Sequence, residues 1–363
     1  MADFGRIVFV GNCQIGAMWR IYQRTLPEDR ARIPIFIESY NAASDDSRRR
    51  IADAEIVVWQ TTEFKQAVGD IETRGKRYFV PMVICPFLWP YGGTPHPRNQ
   101  SSDALPGGPY PGEFGDAFLN QYVGTDVTPA EAARIYRDSD VAKTKNVARM
   151  AEITLDQQRR RDAACDGYDV AGLIERRLPH EPLFRSRGHL DPPIMRHMAE
   201  ILYAQMGGDA AFMEYLATTR YDDLVPFSEV PIHPSIAAHF GMAYINERRR
   251  YEFFAEGAYT FLEWAERYVR YDWNESFNQA MYLARSGDMA RAIPLWERSM
   301  DVSLRSVSGR VNLAEVMVRN GMTRQAVRWI REGVALEPGN PTYLRRSVEL
   351  QNEAEWLIRR EKE

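Results

Sequence analysis

Residues 6–14 read RIVFVGNCQ, and this stretch decides the fold of the N-terminal part of the chain. Residues 6–10 form a short apolar run rich in β-branched side chains, which is typical of a buried parallel strand. Apolar residues then recur at roughly helical spacing over residues 15–22, and no helix breaker appears before Pro27. Gly11-Asn12-Cys13-Gln14 is therefore predicted to be a tight turn from a strand into a helix.

The predicted turn is a favourable place for a reactive cysteine. In open α/β sheets, ligands bind at the carboxyl ends of strands. A helix start also presents backbone N–H groups and the positive end of the helix dipole, which favour an anion or a thiolate. Gly11 permits a positive φ, and Asn12 tolerates one better than most residues do. Cys13 is thus placed as an activated nucleophile would be; the alternative is a small side chain that fills the core.

The composition limits the classes of protein that need to be considered. The chain has 363 residues, enough for about two domains. Its mean hydropathy is -0.44, and no apolar run approaches the ~20 residues that span a bilayer. Residues 1–6 enter a strand without a signal-peptide pattern. The net charge of -4 gives no nucleic-acid footprint. The three cysteines are widely spaced, which predicts neither a disulfide framework nor a zinc site and favours a reducing cytoplasm.

Strand and helix patterns alternate over residues 6–84. Further strands are predicted at 33–37, 55–60 and 78–84, and helices at 45–54 and 64–73. Pro81 implies that the fourth strand lies at an edge or carries a bulge. This alternation predicts an α/β fold with a parallel, doubly wound, Rossmann-like sheet. Gln60 ends the third strand, at the same edge of the sheet as Cys13. Its amide is either an oxyanion donor or an ordinary polar strand end.

A long Pro/Gly-rich loop and several helices follow. Residues 86–115 predict a lid, a binding loop or a disordered insertion, and their aromatic side chains favour an ordered loop that lines a pocket. Residues 128–177 are predicted to be helical, beginning with an N-cap at Thr128, Pro129 at N1 and Glu131 at N3. A further helix is predicted from Pro192 to about residue 206.

Two of the six histidines lie in loops that lead into helices: His189 before Pro192, and His233 before Pro234. A nucleophilic cysteine needs a base within hydrogen-bond reach, and distance along the chain does not test this. Each histidine is therefore a candidate base, with a structural hydrogen-bonding role as the alternative. The sequence has no Walker lysine motif, no Gly-x-Gly-x-x-Gly and no His-Glu-x-x-His, which counts against P-loop, dinucleotide-binding and zincin proteins.

The C-terminal residues repeat with a period of 34, which matches Asn278 with Asn312, Gly287 with Gly321 and Ala292 with Ala326. This period, with Gly between paired helices, is the tetratricopeptide signature. Two units and a terminal helix are too few to fold alone, so we expect them to pack on preceding helices. The predicted domains are therefore 1–270, which is α/β, and 271–363, an all-α tetratricopeptide-like tail. Such a tail predicts a protein partner or self-association.

The Gly11-Asn12-Cys13-Gln14 turn, with Gln60 ending a later strand, resembles the WcbI-like family of capsular-polysaccharide biosynthesis enzymes. The resemblance covers roughly residues 5–250 and continues through Arg161-Asp162, Asp169-Val170, Leu183-Phe184, His189 and His233-Pro234. The turn also resembles that of SGNH hydrolases, with Cys13 in the position of the nucleophilic serine. One departure bears on His189: in the family, proline directly follows this position, whereas Leu190 and Asp191 intervene here.

The resemblance implies a bacterial acetyltransferase that moves an acetyl group from acetyl-CoA to a hydroxyl of a capsular or other surface sugar. The residues it implies are Cys13, His189, His233 and Gln60 for catalysis, and Gly11, Asn12, Gln14 and Arg185 for coenzyme A binding. Either Cys13 carries the acyl group, or a histidine acts directly while the turn stabilises the oxyanion. Two other hypotheses stand beside it: an SGNH-like carbohydrate O-acetyl esterase, and a non-enzymatic glycan-assembly scaffold that uses the repeat tail.

Overall fold

The computed structural model describes most of the chain up to residue 271 and parts of the remainder. The described residues are 5–24, 32–39, 42–61, 71–73, 75–99, 114–219, 221, 229–253, 257–271, 280, 283–284, 288–300, 314, 317–318, 321–336, 348, 350–352 and 354. The predicted helix over 64–73 lies largely outside them.

The strands and helices with described bounds follow one another in chain order. The strands are β1 (Gly5–Gly11), β2 (Arg32–Glu38), β3 (Ile56–Thr61), β4 (Lys76–Pro81), β5 (Tyr251–Phe253) and β6 (Gly257–Tyr259). The helices are α1 (Cys13–Arg24), α2 (Asp45–Ala52), α3 (Pro129–Asp138), α4 (Val141–Thr144), α5 (Val147–Ala163), α6 (Val170–Arg177), α7 (Pro192–Gln205), α8 (Ala210–Thr218), α9 (Pro234–His239), α10 (Phe261–Arg270), α11 (Met289–Met300) and α12 (Thr323–Leu336).

The first of two compact units consists of Met1–Leu88, Asn146–Pro226 and Phe240–Tyr244. It is built on a four-stranded parallel sheet with the order β2-β1-β3-β4. The central strand β1 pairs with a strand on each side, and its side chains over residues 7–10 are buried on both faces of the sheet, as an apolar run requires. The prediction of a parallel sheet in an α/β fold is confirmed. Strand β4, which ends at Pro81, lies at the edge of the sheet. Proline has no backbone N–H group, and at the edge no neighbouring strand requires one.

The second unit consists of Trp89–Lys145, Phe227–His239 and Ile245–Glu363. Helix α3 begins as predicted, because Thr128 caps it by accepting a hydrogen bond from Glu131 N at 3.2 Å. Helices α3 and α10 pack around Tyr136, whose ring contacts those of Phe118 and Phe261. Strands β5 and β6 form an antiparallel pair.

The described part of the predicted long loop contributes to the core. Phe87, Trp89 and Phe114 are buried, and the Trp89 indole donates to Val230 O at 3.0 Å. Residues 100–113 of this loop lie outside the described residues. A role in lining a pocket stays a prediction.

The C-terminal helices repeat their local structure after 34 residues. Helices α11 and α12 begin at Met289 and Thr323. The hydrogen bond from Asp288 N to Leu283 O, 2.8 Å, has its equivalent from Met322 N to Met317 O, 2.9 Å. Ala292 and Ala326, which correspond under the same period, are both fully buried in one apolar cluster. The division of the chain after residue 270 stays a prediction. Among the described residues, no helix combines the length and the apolar character needed to cross a membrane.

Candidate active site

The turn between β1 and α1 places Cys13 at the first residue of the helix. Asn12 caps this helix: its side-chain oxygen accepts from Gln14 N at 2.9 Å and its backbone carbonyl from Gly16 N at 3.0 Å. Cys13 is exposed, whereas the other two cysteine thiols, Cys85 and Cys165, are buried. Cys13 therefore does not fill the core, and the predicted strand–turn–helix arrangement is confirmed.

Gly11 is required in this turn for space. A Cβ atom at Gly11 would lie 2.5 Å from Cγ1 of Ile15 and 2.9 Å from Cβ of Gln60. The expectation of a positive φ was wrong, since neither Gly11 nor Asn12 is among the described residues with positive φ. The helix starts immediately after β1, so the chain turns through ordinary backbone conformations. The close approach of Ile15 and Gln60 leaves no room for a side chain.

The carboxamide of Gln14 ties the turn to three other segments. Its Nε2 atom donates to Val83 O at 2.7 Å and to Gly188 O at 2.9 Å. Its Oε1 atom accepts from Val83 N at 3.2 Å and from Gln60 Nε2 at 3.1 Å. All four hydrogen-bonding positions of this amide are thus used, and the side chain is only 2 % exposed. The residue that follows Cys13 is consequently fixed in place.

Gln60 holds the same turn from the end of β3. Its Oε1 atom accepts from Asn12 N at 2.9 Å, while its Nε2 atom donates to Gln14. The side chain is 4 % exposed. These bonds make Gln60 a support of the turn, and the donation of its amide to an oxyanion stays a prediction.

His189 lies in a short hairpin-like loop over residues 183–191. The backbone N–H of Arg185 donates to His189 O at 2.9 Å, and that of Asp191 donates to Leu183 O at 2.8 Å. Two external bonds hold the tip of this loop: Cys85 N donates to Arg187 O at 2.8 Å, and Gln14 donates to Gly188 O. The residue before His189 therefore contacts the residue after Cys13. In this way the fold brings the cysteine turn and the histidine loop together.

The ring of His189 is kept neutral by its surroundings. Its Nδ1 atom lies 2.8 Å from Oγ of Ser186, which is fully buried. Burial lowers the pKa of His189 to about 4, because the charged imidazolium loses its hydration. At neutral pH the imidazole is uncharged, which is the form that can take a proton from a nucleophile.

Arg185 is held by a carboxylate at the base of the same loop. Its Nε atom donates to Asp191 Oδ1 at 2.9 Å, and the two side chains are 17 % and 6 % exposed. Because Asp191 directly precedes α7, this pair fixes the loop to the start of that helix. The coenzyme A-binding role of Arg185 stays a prediction.

His233 belongs to the second unit. Its Nε2 atom lies 2.8 Å from Tyr136 O, a group that can only accept, so Nε2 carries the proton. Its Nδ1 atom accepts from Ser235 N at 3.2 Å and lies 2.9 Å from Ser235 Oγ. Both ring nitrogens are engaged within that unit, and burial lowers the pKa of His233. These hydrogen bonds hold the ring in place, and a catalytic role of His233 stays a prediction.

A buried polar cluster on α5 supports the segment that contacts Gln14. Arg161 Nη1 donates to Gln158 Oε1 at 3.1 Å and to Met82 O at 3.4 Å. Gln158 in turn donates to Asp162 Oδ1 at 2.9 Å. Asp162 also accepts from Ala171 N at 2.9 Å. This cluster gives the Arg161-Asp162 motif a structural role, because Arg161 binds the carbonyl of Met82, the residue directly before Val83.

Ser186 was not predicted from the sequence, although it lies three residues before His189 in the same loop. That spacing within a tight loop is the signal that could have pointed to it. The contributions of Val83 and Gly188 come from their backbone groups, so no residue type at those positions predicts them.

These features define an α/β protein with an exposed cysteine at the carboxyl end of the first strand and a neutral histidine in an adjoining loop. Residues 6–210 match the family model of the polysaccharide biosynthesis enzyme WcbI, so the chain belongs to this family, as predicted. The chain is also similar to a solved structure of WcbI, a novel polysaccharide biosynthesis enzyme. That structure is of the native protein, without a disulfide bond between coenzyme A and one of the WcbI cysteines. It is 15 % identical to this chain, with a TM-score of 0.48, and the similarity covers 82 % of this chain and 99 % of WcbI. A comparison with curated proteins gives no significant match.

Proposed function

We propose that this chain is a coenzyme A-dependent O-acetyltransferase that moves an acetyl group to a hydroxyl of a capsular or other surface polysaccharide. The observation that carries the proposal is the exposed Cys13 thiol at the first residue of α1, beside the loop that holds neutral His189. Membership of a polysaccharide biosynthesis family supports a sugar acceptor. Coenzyme A is associated with a cysteine of WcbI, which is consistent with acetyl-CoA as the donor here.

The residues of the turn suit an acyl thioester. Acetyl-CoA would supply an acetyl group activated as a thioester. Cys13 offers an exposed sulfur, and the N–H groups at the start of α1 offer donors for the oxyanion that forms when the carbonyl carbon is attacked. Gln14 and Gln60 keep this turn rigid before the substrate arrives. Preorganised donors of this kind need no rearrangement during the reaction. The segment from Gly11 to Gln14, together with Arg185, is our candidate for contact with the donor.

In the proposed first half-reaction, His189 takes the proton of the Cys13 thiol, and the sulfur attacks the acetyl carbonyl carbon. A bond forms between Cys13 sulfur and that carbon, the donor thioester bond breaks, and the proton on His189 passes to the departing thiolate. In the second half-reaction, His189 takes the proton of the sugar hydroxyl as its oxygen attacks acetyl-Cys13. The bond to Cys13 then breaks, and the cysteine sulfur recovers the proton.

The transfer assay uses the full chain with acetyl-CoA and a panel of sugars and oligosaccharides. Free coenzyme A thiol and acetylated sugar are both measured. We expect acceptor-dependent release of thiol in wild type, loss of at least about a hundredfold in rate for Cys13→Ala, and near wild-type rates for Cys165→Ala. The last variant removes a buried thiol and controls for a general effect of cysteine replacement.

Two outcomes would contradict the proposal. Rapid loss of acetyl groups to water without an acceptor would favour the O-acetyl esterase. A melting temperature that does not change at saturating coenzyme A or acetyl-CoA would remove the donor, because a ligand that binds only the folded state must stabilise it.

We further propose that the C-terminal helices form a tetratricopeptide-like tail that binds another protein or a second copy of the chain. The repeated hydrogen bonds and the shared burial of Ala292 and Ala326 support this assignment. Sedimentation of the full chain over a wide concentration range, alone and with polysaccharide-assembly proteins, tests it. Monomeric sedimentation under all these conditions would contradict it.

A further inference from the structure

The side chain of Asn12 uses only its oxygen within the turn. That oxygen, Oδ1, accepts from Gln14 N at 2.9 Å. Because a backbone N–H group only donates, the atom that faces it is oxygen, and the structure therefore fixes which end of the carboxamide is Nδ2. Among the described residues, none accepts a hydrogen bond from Nδ2. Asn12 is half-buried, and Nδ2 is not one of the buried polar atoms, so a ligand can reach this amino group.

The backbone around this carboxamide is also fixed. Asn12 N donates to Gln60 Oε1 at 2.9 Å, and Asn12 O accepts from Gly16 N at 3.0 Å. The ring that the bond between Asn12 and Gln14 closes runs through the backbone of Cys13, the residue between them. The carboxamide is thus held against the backbone of the candidate nucleophile before any substrate binds.

The two backbone N–H groups that flank Cys13 are already engaged within the protein. That of Asn12 donates to Gln60, and that of Gln14 donates to Asn12. Acyl transfer needs donors that point to the carbonyl oxygen, where negative charge develops during attack. These two N–H groups serve as such donors only if their present bonds break. The amino group of Asn12 is a donor in the same turn that breaks no described bond when it turns to a substrate.

We propose that Asn12 is a catalytic residue whose Nδ2–H group donates to the oxyanion formed when Cys13 attacks an acetyl carbonyl. This rests on the proposed function for the reaction. As the bond between sulfur and carbon forms, the π electron pair of the carbonyl moves to its oxygen, which accepts from Nδ2–H. When the bond to the leaving group breaks, the pair returns to the carbonyl. Nδ2 keeps both hydrogens throughout, and the neutral amide adds no negative charge beside the sulfur.

A purely capping role of Asn12 makes a different prediction, and one substitution separates the two. Asn, Asp and Ser are about equally good helix caps. In Asn12→Ser the hydroxyl oxygen still accepts from Gln14 N, whereas the amino group is lost and no charge is added. If Asn12 only caps α1, this variant keeps its activity. If Asn12 donates to the oxyanion, the variant folds and binds coenzyme A but reacts slowly.

The experiment measures how fast Cys13 of the full chain becomes acetylated, with acetyl-CoA and separately with p-nitrophenyl acetate. Both donors pass through an oxyanion. We expect Asn12→Ser to lower the acetylation rate by at least about a hundredfold with each of them. The melting temperature and the affinity for coenzyme A should stay close to those of wild type, because the lost bond forms in the transition state.

The other asparagine cap with a described side-chain bond provides a matched control. Asn146 caps α5, and its Oδ1 accepts from Arg149 N at 3.4 Å. Asn146→Asp keeps that acceptor and should leave the acetylation rate of Cys13 unchanged. Asn12→Asp, the equivalent change in the turn, should lower the rate at least as much as Asn12→Ser does.

Acetylation of Asn12→Ser at the wild-type rate would overturn the proposal. A loss with acetyl-CoA alone, together with weaker binding of coenzyme A, would also overturn it, because Asn12 would then bind the donor. Wild type that reacts with p-nitrophenyl acetate but not with acetyl-CoA would contradict the proposed function, while the ester still compares the variants. No acetylation of Cys13 by either donor would overturn both. If Asn12→Ser does not fold, Asn12→Thr carries the same test, since threonine also caps helices.

Discussion

At the residue scale, His189 links the candidate site to the stability of the fold. Its pKa is lowered from 6.5 to about 4 by burial. The folded state therefore resists protonation, whereas the unfolded chain takes up a proton at a higher pH. The stability that depends on neutral His189 is fully present above about pH 6.5 and is lost as the pH falls toward 4. Its full size is on the order of 3 kcal/mol.

We predict that His189→Gln has a weaker acid dependence of its unfolding free energy than wild type. Glutamine does not titrate, so this variant lacks the proton uptake that destabilises wild type between about pH 7 and pH 4. Urea unfolding at a series of pH values measures the difference. His197 and His233, whose pKa values are also lowered, are present in both proteins and cancel in the comparison. Parallel pH profiles for the two proteins would contradict the lowered pKa of His189.

Gly11 gives a second prediction at this scale. Gly11→Ala places a methyl group against Ile15 and Gln60, and we expect it to cost about 1–3 kcal/mol in unfolding free energy. Gly188→Ala is the matched control for stability, because a Cβ atom at that position would have no neighbouring atom within 4 Å. Denaturant unfolding of both variants checks this. Equal stabilities of Gly11→Ala and Gly188→Ala would show that the turn can expand.

At the element scale, two glutamines join the ends of parallel strands to the histidine loop. Gln14 donates two hydrogen bonds through Nε2, to Val83 and Gly188, whereas Gln60 donates one that is described, to Gln14. A change of Gln to Glu keeps the shape of the side chain but replaces the donor with an acceptor. Each such change brings oxygen atoms together in a buried place, where an unsatisfied group costs about 1–3 kcal/mol and a charge costs more.

We therefore predict that Gln14→Glu destabilises the protein more than Gln60→Glu, and that both lower the affinity for coenzyme A. Gln60→Glu should cost at least about 2 kcal/mol in unfolding free energy. Gln121→Glu, at an exposed amide, should change stability little. Urea unfolding and calorimetric titration with coenzyme A give the two quantities. The opposite order of the two buried variants would contradict the hydrogen-bond assignment.

The same elements show what local sequence signals can and cannot predict. The run before Gly11 and the spacing after it predicted β1, the turn and α1, because strand and helix periodicities are local. Thr128 predicted the start of α3 for the same reason. Three of the four hydrogen bonds of the Gln14 amide join backbone groups of Val83 and Gly188, which are 69 and 174 residues away. Every residue has these backbone groups, so the residue types at the two positions do not predict the contacts, and only the folded structure shows them.

At the scale of the whole molecule, each unit assembles from separate stretches of the chain. From the sequence, His189 and His233 are equal candidates for the base, because both lie in loops that lead into helices. In the structure, His189 belongs to the unit that contains the cysteine turn, and both ring nitrogens of His233 make hydrogen bonds within the other unit. The local sequence is similar around the two histidines, so it did not predict that their hydrogen-bond partners differ.

The most direct test of the proposed chemistry is where the acetyl group resides when no acceptor is present. The full chain is mixed with acetyl-CoA, quenched with acid, and its intact mass and proteolytic peptides are measured. We predict that one acetyl group appears on the peptide that contains Cys13, that an acceptor sugar removes it, and that Cys13→Ala gains none there. Transfer of acetyl to sugar by Cys13→Ala at the wild-type rate would contradict a nucleophilic Cys13.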